Sequence, residues 1–405
     1  MPPLTTPLCY SFLLLSTDDY HVIMTALCPD GTLLELLGVE KKMARTKLSN
    51  VVGLMSRSEW LITGGAIVLS AVAGVLTAIH AHPVITFVFS GSALAILAAL
   101  VGIGTEQIGS RLGPGATGVL QSSLGNLPEL FVGYFALRNG LIPVLQAALV
   151  GSVLGNSLFV LGLAFLVGGL RHGTQRFAAE VPRMIATLTL LAVAALIVPT
   201  LVFFLHTPAG GHEDELSIIC AGILLIIYII SIPVSLQGGP TSIPEEAEKL
   251  SRLWPLWLAV VILVGSGVGA ALVSDWFVVA LTPAIDILHI SQAFTGLVLV
   301  AIASNAVEHA VGIQLAAKNK ADYAISVILN SSLQVALGLI PILVILSFFI
   351  GGPRLTLVLP PLLVVSLGLT AVLSTVITYD GESTWLEGAS LIGLYVIIVA
   401  SFWWG

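Results

Sequence analysis

The chain has 405 residues, 57% of them hydrophobic and only 9% charged, with a formal net charge of -7. Soluble domains carry about 25% charged residues, and the mean hydropathy here is +1.05, so a soluble domain is excluded and a polytopic membrane protein is expected. Cys9, Cys28 and Cys220 show no paired spacing, which argues against a disulfide framework and a zinc site. Nothing resembles a nucleic-acid surface.

Residues 1–57 read as a poorly structured N-terminal extension. Their one apolar run, "LCYSFLLLS", is too short to span and lacks a positive flank, so a signal peptide is not expected. Met43 and Met55 would each serve as a start, which leaves open whether residues 1–42 belong to the functional protein.

A spanning helix needs about 20 mostly apolar residues. Eleven stretches qualify: 59–79, 83–104, 115–138, 142–169, 181–205, 216–236, 254–274, 292–317, 323–350, 355–378 and 385–404. No period-two runs occur, so a β-barrel is disfavoured and the expected class is all-α. With the N-terminus in the cytoplasm and the C-terminus outside, every Lys and Arg except Arg138 and Arg354 falls on the inner side, as the positive-inside rule requires.

The longest internal hydrophilic segment, "QGGPTSIPEEAEKLSR", runs from Gln237 to Arg252 and reads as a cytoplasmic acidic linker, 237–253. It separates an extra first helix (58–82) and a five-helix unit (83–236) from a second five-helix unit (254–405). An odd number of crossings per unit places the two halves in opposite orientations, an inverted repeat. Glu245, Glu246 and Glu248 in the linker are candidates for regulatory calcium binding, against the plainer role of a solvated helix start.

The halves resemble each other. "GNLPELFVG" (Gly125–Gly133) matches "SNAVEHAVG" (Ser304–Gly312), with Asn three residues before Glu and Gly four after it. A second polar-dotted stretch follows in each: "QAALVGSVLGN" from Gln146 and "ISVILNSSLQV" from Ile325. Asn and Glu at i and i+3 share one helical face, so Asn126 with Glu129, and Asn305 with Glu308, are expected mid-helix on common faces. A carboxylate at the bilayer centre costs at least about 2.5–3.5 kcal/mol and persists where it meets a cavity, a partner or an ion. Gly125 and Pro128 are expected to loosen the helix and free carbonyls as ligands. Two carboxylates with amide and carbonyl oxygens suit calcium, which takes six to eight oxygens.

At these residues the chain resembles the α-repeats of the calcium/cation antiporter superfamily, specifically its calcium/proton exchanger branch. That branch has Gly-Asn-x-x-Glu-Leu in one repeat and Gly-Asn-x-x-Glu-His in the other. The resemblance spans about residues 58–404 and includes Ser331-x-x-Gln334 and "DGESTWLEG" (Asp380–Gly388). It implies a carrier that exchanges Ca2+ for H+ by alternating access, with Glu129 and Glu308 taking Ca2+ or protons in turn. Ca2+ and H+ are then the substrates, with no cofactor, no enzymatic activity and the lipid bilayer as surroundings. A homo-oligomer stays open, and a bacterial plasma membrane is the expected location.

Three departures stand out: Ser304 and Asn330 occupy family glycine positions, and Leu127-Pro128-Glu129-Leu130 is closer to sodium/calcium exchangers. Gln146, Ser152, Asn156, Ser331 and Gln334 are expected to line or gate the pathway, or to act as interhelical glue. His309 either tunes Glu308 or is an ordinary satisfied histidine. The rival functions are a sodium-coupled exchanger, a cation channel and, least supported, a membrane enzyme.

Overall fold

In lipid a backbone must satisfy its own N–H and C=O groups, and the helix does this within one segment. The computed structural model describes residues 55–112, 124–238 and 253–404, and nearly all of them are helical. We number the helices α1 (Arg57–Ala78), α2 (Pro83–Leu112), α3 (Leu127–Arg138), α4 (Ile142–His172), α5 (Glu180–Phe204), α6 (Glu213–Gly238), α7 (Leu256–Leu288), α8 (292–317), α9 (Ala321–Ile350), α10 (Pro361–Ile377) and α11 (Trp385–Ser401). Seven are long and apolar enough to cross a membrane, or eight if α8 counts as one bent span. α10 and α11 are shorter apolar helices of 17 residues each. The extension to residue 54 and the linker acids Glu245, Glu246 and Glu248 lie outside the described residues.

Three sequence expectations are corrected. The stretch 115–138 is not one described helix: the chain turns at Gly125 and Asn126, and α3 starts only at Leu127. Pro128 is compatible with that start because a first-turn N–H has no helical partner anyway. The stretch 254–274 continues to Leu288, because Asp275 is followed by further apolar residues and Pro283 is tolerated within the helix; the end comes at His289, φ 52°. In 355–378 only Pro361–Ile377 is helical, and residues 355–360 are extended.

The packing partners recur when each helix is advanced by five. α2 lies against α7 and α5 against α10; α2 packs on α8 as α7 packs on α3; α4 packs on α11 as α9 packs on α6; α5 packs on α9 as α10 packs on α4. α4 and α8 approach most closely. A Cβ on Gly151 would sit 2.3 Å from the Leu297 carbonyl oxygen, and one on Gly296 would sit 2.3 Å from that of Val144. Only glycine permits this contact, which follows the small-residue rule for helices in lipid. α4, α8 and α9 each carry a π-helical turn, at Gly155–Val160, Thr295–Val300 and Val335–Leu339. Such turns interrupt regular helix and cluster at functional sites.

The connections meet in two groups. Residues 175–176 pair antiparallel with 382–383, and Gln175 Nε2 donates to Ala316 O (3.2 Å) and Asn319 Oδ1 (2.9 Å). Ala178 N donates to Asp322 Oδ1 at 2.6 Å. The links after α4, α8 and α10 therefore share one end. At the other group, Arg354 pairs with Asp214 at 2.5 Å, Pro353 packs beside Gly140, and Ser291 Oγ donates to Phe402 O at 2.5 Å.

Candidate ion-binding site

The close passage of α4 past α8 sets serine and asparagine side chains against the first turn of α3. Glu129 stands there, only 7% exposed. Its Oε1 accepts from Ser152 Oγ of α4 at 2.7 Å and from Ser304 Oγ of α8 at 3.2 Å, and also from Asn305 Nδ2. Asn305 Nδ2 further donates to Ser152 Oγ at 3.1 Å. All three donors are neutral, and Glu129 Oε2 is buried with no partner among the described residues. The expected mid-helix position is thereby corrected: Glu129 lies in a first turn, where unpaired N–H groups favour negative charge.

Glu308 of α8 is partly exposed, and its Oε2 accepts from Ser331 Oγ of α9. The helix changes direction by 70° between Gln292–Ala306 and Glu308–Ala317, so a break adjoins this carboxylate despite Ser304. Asn156 Nδ2 of α4 donates to the same Ser331 Oγ at 2.9 Å. Ser152 and Ser331 each stand 23 residues beyond the glutamate they serve. Asn305, which donates to Glu129, stands three residues before Glu308 on α8, and among the described residues no Lys or Arg pairs with either carboxylate.

Of the other candidates, Asn126 donates to Gln334 Oε1 at 3.3 Å rather than to a glutamate. Gly125 forms the turn before α3. His309 is buried, and its Nε2 has no partner. Gln146 is not brought to the carboxylates: it donates to Thr356 O and Val358 O at 3.0 and 3.1 Å. Sequence reasoning missed the Ser157–Ser332 hydroxyl pair, 2.8 Å apart, which crosses from α4 to α9; the only signal was the small polar residue next to Asn156 and Ser331.

Asn126, Asn156 and Asn305 all bond through the amide nitrogen, and an amide oxygen is a group that can ligate a hard cation. Among the described residues no three of His, Cys, Asp and Glu gather. The donor set is thus two carboxylates surrounded by hydroxyls and amides, suited to a hard cation.

Known proteins carry the same organisation. Residues 82–237 and 258–404 match the sodium/calcium exchanger protein family. A Ca(2+)/H(+) antiporter of Synechocystis sp. is 35% identical over 340 residues, which cover 78% of this chain and 90% of that protein. The Ca(2+)/H(+) antiporter ChaA of Bacillus subtilis is 31% identical over 355 residues, 86% of this chain and 99% of that one. The structure of native YfkE superposes with a TM-score of 0.72 at 29% identity, covering 84% of this chain and 99% of that one. The chain is therefore an integral membrane protein of the sodium/calcium exchanger family, in its calcium/proton antiporter branch.

Proposed function

We propose that this protein exchanges Ca2+ for H+ across a membrane by alternating access, with Glu129 and Glu308 as the shared ligands of both ions. The observation that carries the reading is the pair of glutamates without a basic partner, each serviced by a serine from the helix that follows it in chain order. Glu129 is also gripped from the opposite half by Ser304 and Asn305. With both groups ionised, one divalent cation neutralises the site; with both protonated, the site is neutral without metal. Two bare carboxylates crossing a low-dielectric barrier would be costly, so exchange is favoured and leak is suppressed.

The recurring packing pairs support two five-helix repeats after α1. The grouping of connections supports eleven crossings, with α3 and α8 each traversing the bilayer: links of one parity meet at one end, and links of the other parity at the other. By the basic-residue bias, the end holding Gln175 and Asp322 is cytoplasmic and the end holding Arg354 is external. The bacterial plasma membrane remains our assignment for its location.

Reconstituted in liposomes, the protein should take up Ca2+ under an imposed pH gradient with no sodium present, and Glu129→Gln or Glu308→Gln should remove that uptake. Near-native exchange in either variant would refute the mechanism. The Leu127-Pro128-Glu129-Leu130 motif favours a second reading, a sodium-coupled exchanger; uptake that needs a sodium gradient and ignores pH would establish it instead.

A further inference from the structure

Between α9 and α10 the chain is extended and buried, which is unusual where its neighbours are all helices. Residues 353–360 alternate: Leu355, Leu357 and Leu359 are buried, while Thr356 and Val358 are partly exposed. An extended strand in such a place must find backbone partners, and here side chains supply them. Leu355 N donates to Ser347 Oγ of α9 at 3.1 Å, Leu357 N to Ser217 Oγ of α6 at 2.9 Å, and Leu359 N to Thr200 Oγ1 of α5 at 3.0 Å. Thr200 Oγ1 returns a bond to Leu357 O at 2.9 Å. The carbonyls of Thr356 and Val358 both accept from Gln146 Nε2 of α4.

The corresponding link after α4 is built differently. Its strand 175–176 is paired by backbone to 382–383, and Phe177 N donates to Gly381 O at 2.9 Å. Backbone pairing of that kind ties two segments along their length. Among the described residues the backbone of the 353–360 strap is bonded by side chains of four helices, each of which can let go by a rotamer change, while Leu355, Leu357 and Leu359 pack in the core and Arg354 pairs with Asp214. Its start is a double glycine, Gly351 and Gly352, with φ 75° and 123°, values that leave a natural pivot. Its end is stiffened by Pro360 and Pro361. Beneath it lies a small cavity walled by Leu149 and Val150 of α4, Leu196 of α5 and Ile340 of α9, with Gln146 at its edge. Gln146 and Ser152, the Glu129 donor, share α4, so a shift of that helix is transmitted to both.

We propose that residues 353–360 form a latched gate over the end of the site helices opposite Gln175, with Gln146 as the latch. Releasing its two bonds frees the α4 side of the strap, and release of the Ser347, Ser217 and Thr200 bonds with it lets the strap swing on Gly351–Gly352 and admits water to the cavity beside α4. The proposal rests on the exchange reading above but is read by a separate signal. Cys9, Cys28 and Cys220 are replaced by serine, Leu149→Cys is introduced in the cavity wall, and a membrane-impermeant charged thiol reagent is added from the strap side of liposomes. Gln146→Leu should raise the labelling rate about thirtyfold, the factor that two hydrogen bonds of about 1 kcal/mol each convert to, and should slow Ca2+/H+ flux. In the same chain with Gln146 intact, labelling should differ between saturating Ca2+ and Ca2+-free acidic medium, a comparison that needs no destabilising variant. Labelling unchanged in both comparisons overturns the gate. Absent flux in the parent protein, with labelling still dependent on Gln146, would count against the exchange reading and leave the gate standing.

Discussion

The two half-sites are built from matching residues yet differ in how firmly they hold their carboxylate. Glu129 is buried, and one oxygen takes three neutral donors, two of them from the other half. Glu308 is partly exposed and among the described residues takes one, Ser331, itself steadied by Asn156. Asn305 reaches across to Glu129, but its counterpart Asn126 turns to Gln334 instead. A strictly symmetric site would have both asparagines crossing. The difference teaches that matching sequence positions are held unequally: Glu129 is enclosed where α4 crosses α8, and Glu308 is the more exposed carboxylate.

Removing either charge should erase the asymmetry altogether. Glu129→Gln and Glu308→Gln are each expected to lower Ca2+-driven proton flux at least ~100-fold, since a hydrogen bond or ligand involving a charged group is worth about 1.5–3 kcal/mol and the charge balance is lost as well. Next in size is Asn305→Ala, which takes the cross-half donor from Glu129; apparent Ca2+ affinity should fall about tenfold, measured by flux against Ca2+ concentration. Ser331→Ala strips Glu308 of its one donor and should shift the pH dependence of transport more than Ser152→Ala does, because Glu129 retains two others. If Ser152→Ala has the larger effect, the contrast between half-sites is wrong. Smallest is Ser304→Gly, the removal of one donor in three, with about a threefold change or less. Across all of these, apparent Ca2+ affinity should weaken as pH falls, because protons and Ca2+ compete for the same oxygens.

Much of the arrangement was written in spacing. The repeated Asn-x-x-Glu pairs and the polar residues of α4 and α9 pointed to Glu129, Glu308, Asn305, Ser152, Asn156 and Ser331, and the fold brings these together. What escaped were features set by tertiary partners. Asn126 and Asn305 occupy equivalent sequence positions, so no pattern could tell which would cross. The extended run Leu355–Leu359 alternates by two, but five consecutive apolar or threonine residues beside a long apolar stretch read equally well as helix. Its true state depends on Gln146, Thr200, Ser217 and Ser347, which lie on four different helices. Gln146, expected to line or gate the pathway or to act as glue, donates to the Thr356 and Val358 carbonyls of that run. The expected stretch 254–274 stops just before Asp275, although α7 continues for more than three turns beyond that residue.

The shared use of two carboxylates can be read directly as protons displaced by metal. Ca2+ titrated into the purified protein in weakly buffered, sodium-free detergent solution should release protons saturably, and Glu129→Gln and Glu308→Gln should each abolish most of that release. Ca2+ binding with no proton release in the unaltered protein, or undiminished release in both variants, would contradict the account.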